Sequence, residues 1–147
     1  MKYTEAYSVN AYTHRVQYYE TDKMGITHHS NYVRWMEEAR MDYLDQIGWS
    51  YARLEEMGVI SPVRAVECHY RATTAFSDLI TIRAEIEDFN GVVLRLHYIM
   101  TNEAGTKVFE GHSEHCFLSR EGRILRLKKE FPDFYEGLMA QVPAKEG

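Results

Sequence analysis

Cysteine, proline and basic charge are all scarce in this sequence, and each scarcity removes a class of protein. Two cysteines, Cys68 and Cys116, in 147 residues do not make a disulfide framework. The chain must therefore rely on a core, and at 45% hydrophobic and 13% aromatic residues it has the side chains for one. The three prolines, Pro62, Pro132 and Pro143, mark no linker, and neither repeats nor low-complexity segments are present. No apolar run approaches the ~18 residues of a membrane span, and none follows Lys2 to form a secretory leader. The expectation is one domain over residues 1–147, soluble and in a reducing compartment, hence cytoplasmic and not at a membrane.

With a net charge of −5, the chain also lacks what a nucleic-acid binder needs most, since such affinity comes largely from Lys and Arg on phosphates. The densest basic stretch, Arg123-Ile-Leu-Arg-Leu-Lys-Lys129, would suit one small phosphorylated ligand and is thin for a nucleic acid.

What is present is patterned. Residues 12–19 alternate, with Tyr12, His14, Val16 and Tyr18 on one face, and predict a strand. A polar loop over 20–30 carries Gly25. Apolar residues Tyr32, Met36, Ala39, Tyr43 and Ile47 then recur at helical spacing. They are flanked by Val33, Trp35 and Leu44 and predict a helix over 32–47, capped by Ser30 or Asn31 and closed by Gly48. A short helical turn is expected over 51–57. Strands are expected over 60–71, around Ile80–Glu87, over Val92–Met100, over 106–118 and over 124–127. Turns at Asn90-Gly91, Asn102–Gly105 and Glu121-Gly122 separate the later ones, before a helix over 131–139 and a frayed tail over 141–147. Tight turns leave no room for crossover helices, so the sheet should be antiparallel. The class is α+β, with one long helix packed on a sheet of five or six strands.

Tyr18-Tyr-Glu-Thr-Asp-Lys-Met-Gly-Ile-Thr-His-His-Ser-Asn-Tyr32, followed by Glu38-Ala-Arg40, resembles the signature of the 4-hydroxybenzoyl-CoA thioesterase family. Tyr18, Thr21, Asp22, Gly25, His29, Asn31 and Tyr32 fall on its positions. The remainder of the chain follows the family's element order and is similar to bacterial acyl-CoA thioesterases. The resemblance implies a hotdog fold, a sheet wrapped around one long central helix. It implies hydrolysis of an acyl-CoA thioester to a free acid and CoA, with no cofactor beyond the coenzyme A of the substrate. Asp22 and His29 would be catalytic. Gly25, His28, Asn31 and Tyr32 would meet the substrate, and Arg126 and Lys128 the phosphates of CoA. A homodimer or homotetramer, with sites between subunits, is implied as well.

Chemistry supports the same segment. A thioester needs a nucleophile or base and donors for the developing oxyanion. A carboxylate between a strand end and a helix start stands beside unpaired backbone N–H groups. Asp22 could attack the carbonyl or activate water, and both routes stay open here.

Plainer readings exist for each residue. Asp22 and Gly25 could be ordinary turn residues, His29 could contribute only its backbone N–H, and His28 could face solvent. No metal is expected from His14, Asp22, His28 and His29, whose spacing is not that of a zinc site. Glu38 reads as a surface ion-pair partner of Arg34, and Glu37, at the edge of the apolar helix face, as a lesser functional candidate. Cys68 and Cys116 read as core. His112 and Ser113 have opposite strand parity, which argues against a serine triad. Arg126, Lys128 and Lys129 could be a solvated edge. The rival functions are an acyl-thioester hydratase or dehydratase, against which the loop lacks a His-x-Pro, and a non-catalytic acyl-CoA-binding module.

Overall fold

The computed structural model describes residues 9–144. Its elements are β1 (Tyr12–Arg15), a 3₁₀ turn (Tyr18–Glu20), α1 (Ser30–Gln46), α2 (Tyr51–Met57), β2 (Val63–Tyr70), β3 (Leu79–Phe89), β4 (Leu94–Thr101), β5 (Lys107–His115), α3 (Leu127–Glu130) and α4 (Pro132–Met139). The five strands form one antiparallel sheet in the order β1-β3-β4-β5-β2.

Alternation sets the inner face. Ile80, Ile82 and Ile86 of β3, with Leu94, Leu96, Tyr98 and Met100 of β4, are buried against Tyr32, Trp35, Met36, Ala39 and Tyr43 of α1. A bulge between Ile86 and Asp88 keeps the pattern by turning Phe89 inward in place of Asp88. Gly111 of β5 lies under the helix. A Cβ there would stand 2.7 Å from Phe109, 2.9 Å from the carbonyl oxygen of Glu67 and 3.0 Å from Met36 Sδ. Helix and sheet approach so closely only because that side chain is missing.

Several boundaries differ from the expectation. The first strand stops at Arg15, and the chain coils into the 3₁₀ turn, leaving Tyr18 exposed. Neither Ser30 nor Asn31 caps α1, since the cap position is His29. Residues 124–127 form no strand, only a bridge from Ile124 to Leu118, and Leu127 already opens a helical turn. Val33 lies on the exposed side of α1, whereas Arg40 is buried. The tail is ordered where it is described. Gln141 Nε2 donates to the Tyr43 hydroxyl at 3.1 Å and Val142 packs on the core, while 145–147 lie outside the described residues.

Consecutive strands are not all neighbours. β2 leaves α2 to occupy the edge beyond β5, so that α1 and α2 carry the chain from one edge of the sheet to the other. Val63, Val66 and Tyr70 of this edge strand are substantially exposed.

Candidate active site

The segment between the 3₁₀ turn and α1 is a tight loop. Its ends are tied by the Thr21–Thr27 bridge and by the Asp22 amide, which donates to the Ile26 carbonyl at 2.8 Å. The Gly25 amide donates back to the Asp22 carbonyl at 3.0 Å, and Gly25 sits at φ +81, a conformation costly for any residue with a Cβ. Half-buried Asp22 accepts the Met24 N–H on Oδ1 at 2.8 Å. Its Oδ2 accepts no hydrogen bond among the described residues. The turn reading and the catalytic reading of Asp22 are therefore compatible, because one oxygen holds the turn and the other is left over.

The two histidines divide the helix start between them. His28 Nδ1 lies 2.9 Å from Ser30 Oγ and takes the Ser30 N–H at 3.2 Å, so this imidazole caps the first turn. It does not line the neighbouring cavity, and neither do Asp22 and Gly25. The His29 N–H has no hydrogen-bond partner among the described residues, and it stands at the positive end of a 17-residue helix. The His29 ring stacks on His28 at 4.2 Å, and the His29 carbonyl accepts the Tyr70 hydroxyl at 3.2 Å. Ile26, Thr27, His29, Tyr32 and Tyr70 line a cavity of about 300 Å³. Tyr32 is buried in its wall with its hydroxyl 2.9 Å from Thr74 Oγ1. Asn31 turns away to donate from Nδ2 to the carbonyls of Glu20 and His28, so it braces the loop rather than facing the cavity.

Glu20, which falls on none of the signature positions, organises the rear of this loop. It is buried, its carboxylate accepts Trp35 Nε1–H and the Gln17 N–H at 2.8 Å each, and His14 Nε2 is also at 2.8 Å. Burial pushes its pKa up, but these hydrogen bonds outweigh that and hold it below the ordinary carboxylate value. Its main-chain carbonyl also accepts the His28 N–H at 2.8 Å, fastening the helix start to the strand end. Glu38 belongs to the same surroundings. It accepts the Tyr12 hydroxyl at 2.8 Å and lies 3.5 Å from His14 Nδ1, in place of the expected surface pair with Arg34. The signal in the sequence was a carboxylate inside the signature, two residues before Asp22.

A second feature escaped the parity argument. Ser113 and His115 share a face of β5, and Ser113 Oγ lies 2.7 Å from both His115 Nε2 and the Tyr98 hydroxyl. All three are buried, and His115 Nδ1 has no hydrogen-bond partner among the described residues. Arg40 lies beside them, buried and without a hydrogen bond or ion pair among the described residues. It borders a cavity of about 410 Å³ between α1, α2 and residues 58–62, which Glu37, Tyr51 and Ile60 also line. Cys68 and Cys116 are half-buried free thiols.

Arg126 and Lys128 are not brought to the loop. Lys128 lies over Tyr135, 5.9 Å from its ring, and Tyr135 packs on Phe89 at the end of β3. The Asp22 loop meets the chain just before the start of β3, through the Ile26–Ala75 bridge. An eleven-residue strand, about 35 Å long, separates the two ends.

The model of the thioesterase-like superfamily matches residues 16–142. YneP of Bacillus subtilis, named as an acyl-CoA thioesterase, is 33% identical over 82% of this chain and 88% of its own. An Aquifex aeolicus protein named as an esterase is 33% identical over 81% and 91%. The solved DHNA-CoA thioesterase of Staphylococcus aureus superposes with a TM-score of 0.85 at 30% identity, covering 88% of each chain.

Proposed function

The chain belongs to the thioesterase-like superfamily with the hotdog fold, and on that premise we propose that it hydrolyses an acyl-CoA thioester to a free acid and CoA, with Asp22 as the acting carboxylate. The observation that carries this reading is the helix start. The His29 N–H makes no hydrogen bond within the described chain, His29 lines the cavity, and the helix start is fastened through His28 and Glu20 to the loop bearing Asp22.

A thioester carbonyl oxygen against that N–H would find a fixed donor backed by the helix dipole as negative charge develops. The free Oδ2 of Asp22 would attack the carbonyl carbon, expelling CoA thiolate and leaving an anhydride for water to open. Alternatively it would take a proton from a water that attacks. Hydrolysis in ¹⁸O-water separates the routes, since only the first can label the Asp22 carboxylate. The proposal is tested by thiol release from an acyl-CoA panel. Asp22→Asn should lower kcat roughly 10²–10⁴-fold, and an unchanged rate would remove Asp22 from the mechanism.

The active unit is a dimer built on β2. Among the described residues that strand has an open edge and an exposed apolar inner face, and Arg40 beside it makes no ion pair. Two-fold pairing of β2 with its copy would set the far end of one sheet beside the helix start of the other. Arg126 and Lys128 of the second copy would then approach the CoA phosphates, which the same chain's own Arg126 and Lys128, at the far end of the sheet, do not reach. The reading of this protein as an intracellular enzyme goes with CoA as substrate. Within the described residues no helix is long and apolar enough to cross a membrane.

A further inference from the structure

The sheet face turned away from α1 takes no part in the proposed hydrolysis, yet it is dense in metal-ligating side chains. His97 of β4 and His112 of β5 are register partners on that face, and Glu110 follows two residues before His112. One ligating atom from each of the three lies within 4.8 Å of the other two. The imidazoles stack at 4.7 Å, His97 Nε2 is 2.7 Å from Glu110 Oε2, and His112 Nδ1 is buried with no hydrogen bond among the described residues.

The register extends the row across four strands as Glu85, His97, His112 and Glu67. Glu85 Oε1 is 3.6 Å from His97 Nδ1, Glu87 Oε1 3.3 Å from His112 Nδ1, and Glu67 Oε2 4.0 Å from His112 Nε2. Several basic side chains face this set. Lys107 at 3.3 Å and Arg71 at 3.7 Å attend Glu110, His69 is 2.9 Å from Glu67, and Arg95 is shared between Glu87 and Glu114. Glu110 and Glu87 thus each keep one oxygen turned to the imidazoles.

We propose that His97, His112 and Glu110 form a site for a divalent first-row transition metal of the zinc type, with water or Glu67 completing four-coordination. Two imidazole nitrogens and a carboxylate suit zinc, cobalt or nickel, whereas magnesium and calcium prefer oxygen alone. Metal–ligand bonds of about 2.0–2.2 Å need ligand atoms somewhat over 3 Å apart. Partly exposed side chains already within 4.8 Å reach that by small rotations. Because the ligands come from two paired strands, the metal would bind only the folded register and stabilise it. Binding requires neutral imidazoles and should weaken in acid.

The test uses the full chain without an affinity tag. Calorimetric titration with zinc chloride at pH 7.5 should give about one ion per chain at micromolar affinity, where magnesium chloride gives none. Zinc at about 100 times the dissociation constant should raise Tm by roughly 5–10 °C, less at pH 5. The double variant His97→Gln/His112→Gln should lose at least about tenfold in affinity, and Glu110→Gln should lose part of it. Cobalt should show the visible band of a tetrahedral nitrogen and oxygen site in the wild type and not in the double variant. Absence of zinc binding, or binding that survives the double substitution and so belongs to other side chains, overturns the proposal.

Discussion

At the scale of single residues, the buried ionisable groups show how the interior is tuned. His115 is enclosed with its Nε2 on Ser113. Burial, helped by the nearby Arg40 charge, pushes its pKa from 6.5 down to about 3. The folded chain therefore keeps this imidazole neutral where the unfolded chain would already protonate it. The unfolded state binds the extra proton between those values, so stability falls as pH falls through that window, by about 1.4 kcal/mol per pH unit from this group. Its contribution is complete above pH 6.5. Urea unfolding at pH 7 and pH 5 should show a larger loss for wild type than for His115→Gln, which can keep the hydrogen bond to Ser113 without taking up a proton. Equal losses would mean that His115 already reaches solvent in the folded chain. Glu20 has the same sign at lower pH, because its depressed pKa makes its stabilisation vanish only as carboxylates protonate.

At the scale of elements, the packing of α1 on the sheet is governed by one missing side chain. Gly111 offers no room for a Cβ, and one of the atoms in the way is the Glu67 carbonyl oxygen, part of the β2–β5 ladder. That oxygen cannot retreat without loosening the ladder, and Met36 on the other side belongs to the helix core. Gly111→Ala should therefore destabilise by about 1–3 kcal/mol, seen as a lowered thermal midpoint. Nothing else in the strand's alternation distinguishes this glycine. Its meaning comes from the helix lying across it.

At the scale of the whole molecule, the feature that points beyond one chain is the β2 edge. A strand of this length with Val63, Val66 and Tyr70 partly open to water is a surface that invites another copy. Val66→Lys places a charge in the middle of it. The variant should run as a monomer by light scattering while wild type runs as a dimer or larger. Its thiol release should fall with it, if Arg126 and Lys128 of a second copy serve the CoA phosphates. A monomeric wild type would refute the dimer and leave those two residues as solvated edge.

Elements whose residues need only local neighbours were legible in the sequence. Helical spacing from Tyr32 to Ile47 set α1, alternation set β3 and β4, and Asn90-Gly91 set their hairpin. The spacing from Tyr18 to Tyr32 singled out the loop with Asp22. Composition and pattern also gave α+β, and the signature resemblance gave the hotdog arrangement. What it left open depends on residues distant in the chain. The strand order, with β2 beyond β5, follows from which faces α1 must cover, and no local pattern encodes that. The roles of Glu20, Glu38 and Arg40 depend on what the fold sets against them, as does the cap supplied by His28. Tertiary structure alone paired Ser113 with His115 around Tyr98. It alone set His97 beside His112 across two strands, because register, unlike periodicity, is a relation between segments.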